Sequence, residues 1–205
     1  MPGPAHIANI NVRHQNLTLR KEGTAPMQGN IQSPVPEPAV AHWCVVETVW
    51  GWCGLQRGEG GVSICTLPSH DRSIASLPVA NASPEAPHDP LLERAADLLR
   101  HYFEGERIHF DLPVEPAGIG PFGMRVLSEC ARIPWGETRS YGELAALAGS
   151  PRAARAVGQA LGRNPLPVIV PCHRVIGADG RLVGFGSGIE TKRRLLELEG
   201  IIGPQ

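Results

Sequence analysis

The sequence predicts an α+β protein in two parts, a small sheet-and-helix unit followed by a mainly helical one. Three observations lead there. Short β-rich runs separated by glycine turns occupy residues 43–67. One strongly amphipathic helix follows an Asp-Pro start at 89–90. Beyond residue 120 the punctuation changes to helix caps and glycine stops.

Residues 1–40 are rich in Pro, Gly, Asn and Gln without periodicity, which predicts a disordered leader. Order is expected from about residue 41. Trp43–Val49 reads as a strand, Gly54–Arg57 as a second after a turn, and Val62–Leu67 as a third after Gly-Glu-Gly-Gly. Residues 68–88 read as a polar loop. Asp89 and Pro90 supply an N-cap and a first-turn proline. Leu91, Leu92, Ala95, Leu98, Leu99, Tyr102 and Phe103 then repeat with helical spacing up to Gly105. Ile108–Leu112 reads as a further strand and 113–120 as a linker. Residues 41–117 are therefore expected to form an N-terminal α/β domain and 118–205 a C-terminal helical one.

In the second part, Phe122, Val126, Leu127, Cys130 and Ile133 make one apolar stripe that ends at Pro134. Ser140 and Glu143 have capping-box spacing for a short helix stopped by Gly149. Ser150 and Pro151 are expected to open an Ala- and Arg-rich helix through Leu161. Two short helices joined by a tight glycine turn resemble a helix-turn-helix. A final helix is expected from Glu190 to Glu199.

Composition narrows the class. The net charge of −1 gives no nucleic-acid signature for the whole chain. Residues 118–205, however, hold 11 Lys/Arg against 7 Asp/Glu, leaving the excess acid in the first part. That mild basic bias is compatible with phosphate contacts. No apolar run is long enough to cross a bilayer and no secretory signal pattern is present, so a cytoplasmic protein with no membrane partner is expected. Five cysteines, an odd number without a CxxC pair, argue against a disulfide framework.

The chemistry concentrates around one of those cysteines. Residues 165–176 run from an apolar, proline-bounded segment into Cys172, flanked by His173 and Arg174. A thiolate is the reactive form of cysteine, and neighbouring basic groups favour it. Adjacent side chains of an extended chain diverge, so a water between His173 and Cys172 is the natural link. The plain alternative is that Cys172 is a small buried hydrophobe. Glu199 shares a helix face with Leu195 and Leu196, and a core-facing carboxylate needs a partner. His173 is the candidate partner; a solvated glutamate at a helix end is the alternative.

With these residues in place, the chain resembles the O6-alkylguanine-DNA alkyltransferase family. The likeness is carried by Ile-Pro-Trp-Gly-Glu-Thr-Arg-Ser-Tyr-Gly-Glu-Leu-Ala at 133–145 and Ala-Ala-Arg-Ala-Val-Gly at 153–158. It continues through Asn164-Pro165, Pro-Cys-His-Arg-Val at 171–175 and Gly-Phe-Gly-Ser-Gly at 184–188. Leu-Leu-Glu-Leu-Glu-Gly at 195–200 closes a match that agrees in order and spacing from residue 133 onward.

The resemblance implies a ribonuclease-H-like N-terminal domain and a winged-helix-like DNA-binding domain. It implies stoichiometric transfer of an alkyl group, a methyl among others, from O6-alkylguanine in double-stranded DNA to Cys172, with O4-alkylthymine a second substrate. His173 would take the thiol proton through a water, and Glu199 would polarise His173. Asn164 would order the segment around the thiol, and Tyr141 would meet the guanine ring. Arg155 would fill the base stack of a flipped nucleotide in the minor groove, with Ala153, Ala154 and Arg174 also at the DNA. Tyr141, Pro167, Phe185, Gly186 and Ser187 would wall the pocket; Phe185 stands where some relatives carry tyrosine. A monomer without cofactor is expected. Some relatives hold zinc in the N-terminal domain, but the spacing of Cys44, Cys53 and Cys65 matches no zinc signature, and core packing is the expectation for them. Cys130 is expected in the core, and Lys192 at the solvated surface or a phosphate.

Three other classes compete. A non-catalytic damage binder of the same family would lack the acceptor cysteine, which is present. A helix-turn-helix transcription factor leaves Asn164, the Cys172-His173 pair and Glu199 unexplained. A cysteine hydrolase requires turnover and an oxyanion hole, and no hydrolase signature surrounds Cys172.

Overall fold

The computed structural model describes residues 42–75 and 88–203, so the leader at 1–40 and most of the loop at 68–88 lie outside the described residues. Three antiparallel strands form the first sheet in the order β1-β2-β3: β1 Trp43–Thr48, β2 Gly51–Arg57 and β3 Val62–Cys65. The β1-β2 turn requires Gly51 at φ +121, because a Cβ there would meet the Ser69 carbonyl oxygen at 2.6 Å. Val46, Cys53, Leu55, Val62 and Cys65 are buried between this sheet and the next helices. The polar loop after β3 contains a single helical turn, α1 Arg72–Ala75.

Helix α2 spans Pro90–Phe103. The Asp89 carboxylate accepts from the backbone N–H groups of Leu91 and Leu92, satisfying two donors that the helix itself cannot. One face buries Leu92, Ala95, Ala96, Leu99, Tyr102 and Phe103. At roughly 1.5–3 kcal/mol for each large side chain, this face anchors the N-terminal unit. Gly105, at φ +91, lets the chain leave the helix.

Two expectations for the connection are corrected. Residues 108–112 are not a strand. Instead Val114 forms a parallel bridge with Val62. Residues 113–117 are not a free linker either. The Val62 N–H donates to the Pro113 carbonyl, and the N–H groups of Glu115 and Ala117 donate to Val62 and Ser63. The Glu115 carboxylate also accepts from the Gly60 N–H at 2.6 Å. Pairing with β3, a non-local partner, overrides the local β pattern.

The helical part contains α3 Pro121–Ala131, α4 Tyr141–Leu147, α5 Ala154–Leu161 and α6 Ile189–Leu198. Buried Val126, Leu127 and Cys130 confirm the stripe on α3. The capping box forms in full: Glu143 N–H donates to Ser140 Oγ, and Ser140 N–H donates to the Glu143 carboxylate. Helix α5 begins at Ala154, three residues later than expected, after a turn through Pro151 and Arg152. Two short parallel strands, β4 Arg139–Ser140 and β5 Val175–Ile176, tie the start of α4 to the chain just after Cys172. No helix among the described residues is long and apolar enough to cross a membrane.

Candidate active site

Cys172 opens a single 3-10 turn, Cys172–Arg174, at the end of the apolar segment 165–171. Asn164 clamps that segment. Its amide Nδ2 donates to the Val170 carbonyl at 3.0 Å, and its Oδ1 accepts from the Leu166 N–H at 3.0 Å. Inside the loop so closed, Val168 is held at φ +73. A β-branched residue in that region costs on the order of 1–3 kcal/mol and persists only where its surroundings impose it.

Cys172 is buried but opens on a small cavity of about 90 Å³. Asn164, Pro167, Gly184, Phe185, Gly186 and Ser187 line it. Tyr141, expected in this wall, is not among the lining residues but is tied to them. Its hydroxyl donates to the Val183 and Gly184 carbonyls at 2.9 and 3.0 Å. Gly184, at φ +57, leaves room for it: a Cβ there would lie 3.1 Å from the tyrosine oxygen. A larger cavity of about 430 Å³ lies between β1 and the start of α2. Its thiol, Cys44, is pushed up to about 11 by burial.

Electrostatics separate Cys172 from the other four thiols. Burial raises all five. At Cys172 the rise is opposed by hydrogen bonding from Asn164 and the local backbone and by the Lys192 ammonium. Among the five, only Cys172 has hydrogen bonds that favour its thiolate.

Behind the thiol lies a buried polar cluster. His173 Nε2 and Glu199 Oε1 are 2.8 Å apart, and both side chains are fully enclosed. His173 Nδ1 is buried and makes no hydrogen bond within the protein. Desolvation lowers the imidazole pKa, against the pull of Glu199. Burial would raise the Glu199 carboxyl, but the hydrogen bonds and charges of His173 and Arg174 outweigh it and hold the group at about 2. The result is a neutral histidine oriented by an ionised carboxylate.

Arg174 requires a correction. It was expected at the DNA, yet it is buried and forks onto Glu199, Nε to Oε2 at 2.7 Å and Nη2 to Oε1 at 2.8 Å. Its Nη1 donates to the Ile133 carbonyl at 2.6 Å. A carboxylate enclosed this deeply draws the nearest guanidinium inward.

Lys192 is likewise not at the surface. It is fully buried, and its Nζ donates to the carbonyls of Val175 at 2.5 Å and Val183 at 2.8 Å. Burial pushes its ammonium down to about 8. Its spacing held the signal: Lys192, Leu195, Leu196 and Glu199 fall at i, i+3, i+4 and i+7, one helix face. Arg155 is exposed on α5, with Ala153 and Ala154 half-buried at its start.

A sheet-and-helix unit joined to a helical unit that carries a buried, flanked thiol defines the class. Family models then match both parts. The 6-O-methylguanine DNA methyltransferase ribonuclease-like domain matches residues 61–116, and the DNA binding domain of the same name matches 121–201. A Bacillus subtilis protein named methylated-DNA–protein-cysteine methyltransferase, constitutive, is 50% identical over 161 residues, 78% of this chain and 96% of that protein. A Mycobacterium tuberculosis protein of the same enzyme name is 46% identical over 140 residues, 65% of this chain and 84% of its own. The crystal structure of Mycobacterium tuberculosis OGT in complex with DNA aligns at a TM-score of 0.63 and 42% identity, covering 77% of this chain and 92% of that one. The chain belongs to the 6-O-methylguanine-DNA methyltransferase family.

Proposed function

We propose that this chain reverses alkylation damage in DNA directly, moving the alkyl group from guanine O6 to Sγ of Cys172. The observation that carries this reading is a thiol at the floor of a small pocket, backed by a neutral histidine that a buried carboxylate orients.

The pieces divide the work as follows. Cys172 rests as a thiol, because burial raises it, so a base is needed. His173 Nδ1 accepts the thiol proton through a bridging water, while Nε2 stays donated to Glu199. The Sγ electron pair attacks the alkyl carbon as the carbon–O6 bond breaks. The bonding electrons leave on O6, the purine anion takes up a proton from solvent to give guanine, and His173 releases the thiol proton to solvent. Asn164 and the Lys192 ammonium stabilise the sulfur anion before attack. Tyr141 meets the guanine ring, with its hydroxyl oxygen still able to accept a hydrogen bond. Pro167, Phe185, Gly186 and Ser187 enclose the alkyl group. The thioether product has no path back, so each molecule reacts once.

The O6 atom lies inside the duplex, and the base must leave the stack at a cost of a few kcal/mol. Helices α4 and α5 supply the DNA surface, in the minor groove. Ala153 and Ala154 keep the entry of α5 slim, and Arg155 fills the gap left by the base. The reading includes action as a monomer, a cytoplasmic location and alkylthymine as a further substrate.

Incubation with an O6-methylguanine duplex, followed by intact-protein and peptide mass spectrometry, tests the reading. One methyl is expected on the Cys172 peptide, saturating at one per protein. Folded, reduced protein that binds the duplex and gains no methyl would point to damage recognition without transfer.

Arg155→Ala is expected to slow repair in a duplex by at least about tenfold, a loss of roughly 1.4 kcal/mol. Its reaction with free O6-benzylguanine should stay near wild type. Equal losses on both substrates, measured by single-turnover kinetics, would remove Arg155 from base flipping.

A further inference from the structure

The N-terminal unit also reaches the buried polar cluster. Tyr102 lies in the last turn of α2 and is completely buried. Its ring packs among Phe103, Phe110 and Trp135, with centroids 5.2, 5.8 and 5.5 Å away. Its hydroxyl donates to Glu199 Oε1 at 2.8 Å and lies 3.4 Å from His173 Nε2. A residue that sequence periodicity assigns only to the core therefore touches both members of the pair behind the thiol.

A buried phenol needs some acceptor, and a backbone carbonyl would serve. Here it shares one carboxylate oxygen with the imidazole. Glu199 Oε1 takes donors from His173, Arg174 and Tyr102, while Oε2 takes Arg174 alone. The geometry points to Tyr102 as a positioning residue for the transfer reaction, supplied by the N-terminal unit, that fixes the orientation and proton balance of the His173–Glu199 pair. This inference rests on the base role of His173 proposed above.

The physical argument concerns the moment when His173 gains the thiol proton. The ring is then cationic, and Glu199 must remain a carboxylate rather than pull the Nε2 proton away. Donors on the same oxygen spread the negative charge and make the carboxylate less basic. Arg174 does this by charge and Tyr102 by its O–H. The hydroxyl also borders the imidazole edge, which limits tilting of the ring away from Oε1. The other charged or titratable groups around His173 are Cys172 and Arg174 on its own turn, with Lys192 and Glu199 from α6. Tyr102→Phe leaves all four of these side chains in place and removes one donor from Glu199.

Without the hydroxyl, Glu199 is more basic and His173 holds a proton to higher pH. Less of the histidine is then free to act as base near neutrality. The acid limb of the transfer rate should move to higher pH, and the plateau should fall because the ring is less well held.

The test uses the full-length chain with single-turnover transfer from an O6-methylguanine duplex between about pH 5 and pH 9, the range in which histidine titrates. Wild type, Tyr102→Phe, His173→Gln and the packing control Phe103→Leu are compared, with duplex affinity and thermal melting measured alongside. Tyr102→Phe is expected to bind the duplex like wild type and to react about tenfold more slowly at its plateau. Its acid limb should rise by about half a pH unit. Phe103→Leu should melt earlier with its acid limb in place. A Tyr102→Phe limb that coincides with wild type, while His173→Gln abolishes the limb, would overturn the tyrosine's role and leave the histidine's intact. A wild-type limb that persists in His173→Gln would overturn the base reading itself, and this inference with it. Loss of fold in Tyr102→Phe alone would also overturn the inference, by making the hydroxyl a group that holds the fold.

Discussion

Cys172→Ala is expected to abolish alkyl transfer entirely while leaving duplex binding within a few-fold of wild type. No other thiol can substitute. Cys53, Cys65 and Cys130 are buried in the core and Cys44 is half-buried on β1, and none lines the small cavity. Burial pushes Cys53 up to about 12 and Cys65 and Cys130 well above their usual range, so their thiolates are scarce at neutral pH. Removing one sulfur atom from the cavity floor leaves α4, α5 and Arg155 in place, so the DNA surface persists. The variant should fold, because the atom lost is bordered by a cavity rather than packed on all sides. Mass spectrometry after exposure to the methylated duplex should find no adduct, and a gel-shift or anisotropy titration should still find binding. Methyl transfer to another cysteine of this variant would make the acceptor assignment wrong.

What was legible in the sequence was mostly local. Asp89-Pro90 and the Ser140–Glu143 box place helix starts because the capping side chain and the donors it satisfies lie within a few residues. The α5 start differs from the sequence expectation because Pro151 marks a turn, and the residue before the helix, Ala153, has no polar side-chain atom to cap it. Ile108–Leu112 has a strand's composition, yet the strand-like contact falls to Val114, chosen by β3 across about fifty residues of chain.

The site divides the same way. Cys172, His173 and Asn164 announce themselves through their order along the chain. Glu199 could be placed on a core face by helical spacing, and the same spacing applied to Lys192 would have buried it too. The burial of Arg174 is not legible in the sequence, because adjacency to the thiol says nothing about where a long side chain points. Tyr102 belongs to a stripe that any reader assigns to the core. Its hydroxyl's partner lies 97 positions away, a distance that only the packed structure closes.

The largest effect on stability is expected from Arg174→Ala, at about 3–5 kcal/mol, the usual cost of breaking a buried ion pair from one side. Arg174 supplies two of the four donor contacts to Glu199 and also satisfies the Ile133 carbonyl at the end of α3. Alanine would leave that carbonyl unpaired and Glu199 held by His173 and Tyr102 alone. The carboxyl should then rise from about 2 toward its ordinary value. Linkage gives the pH dependence its sign. A carboxyl lower in the folded than in the unfolded state contributes stability above the unfolded value, near 4.5, and loses it as pH falls toward 2. Wild type should therefore lose stability across that interval more steeply than Arg174→Ala, which no longer has the full contribution to lose. Denaturant melts at about pH 7 and near pH 3 would check both claims. An exposed, DNA-facing Arg174 would behave otherwise. Alanine would leave the melts nearly unchanged and flatten the salt dependence of duplex binding, because one phosphate contact would be lost. The buried fork onto Glu199 requires the first pattern, and a change in salt dependence with unchanged melts would return Arg174 to the DNA surface.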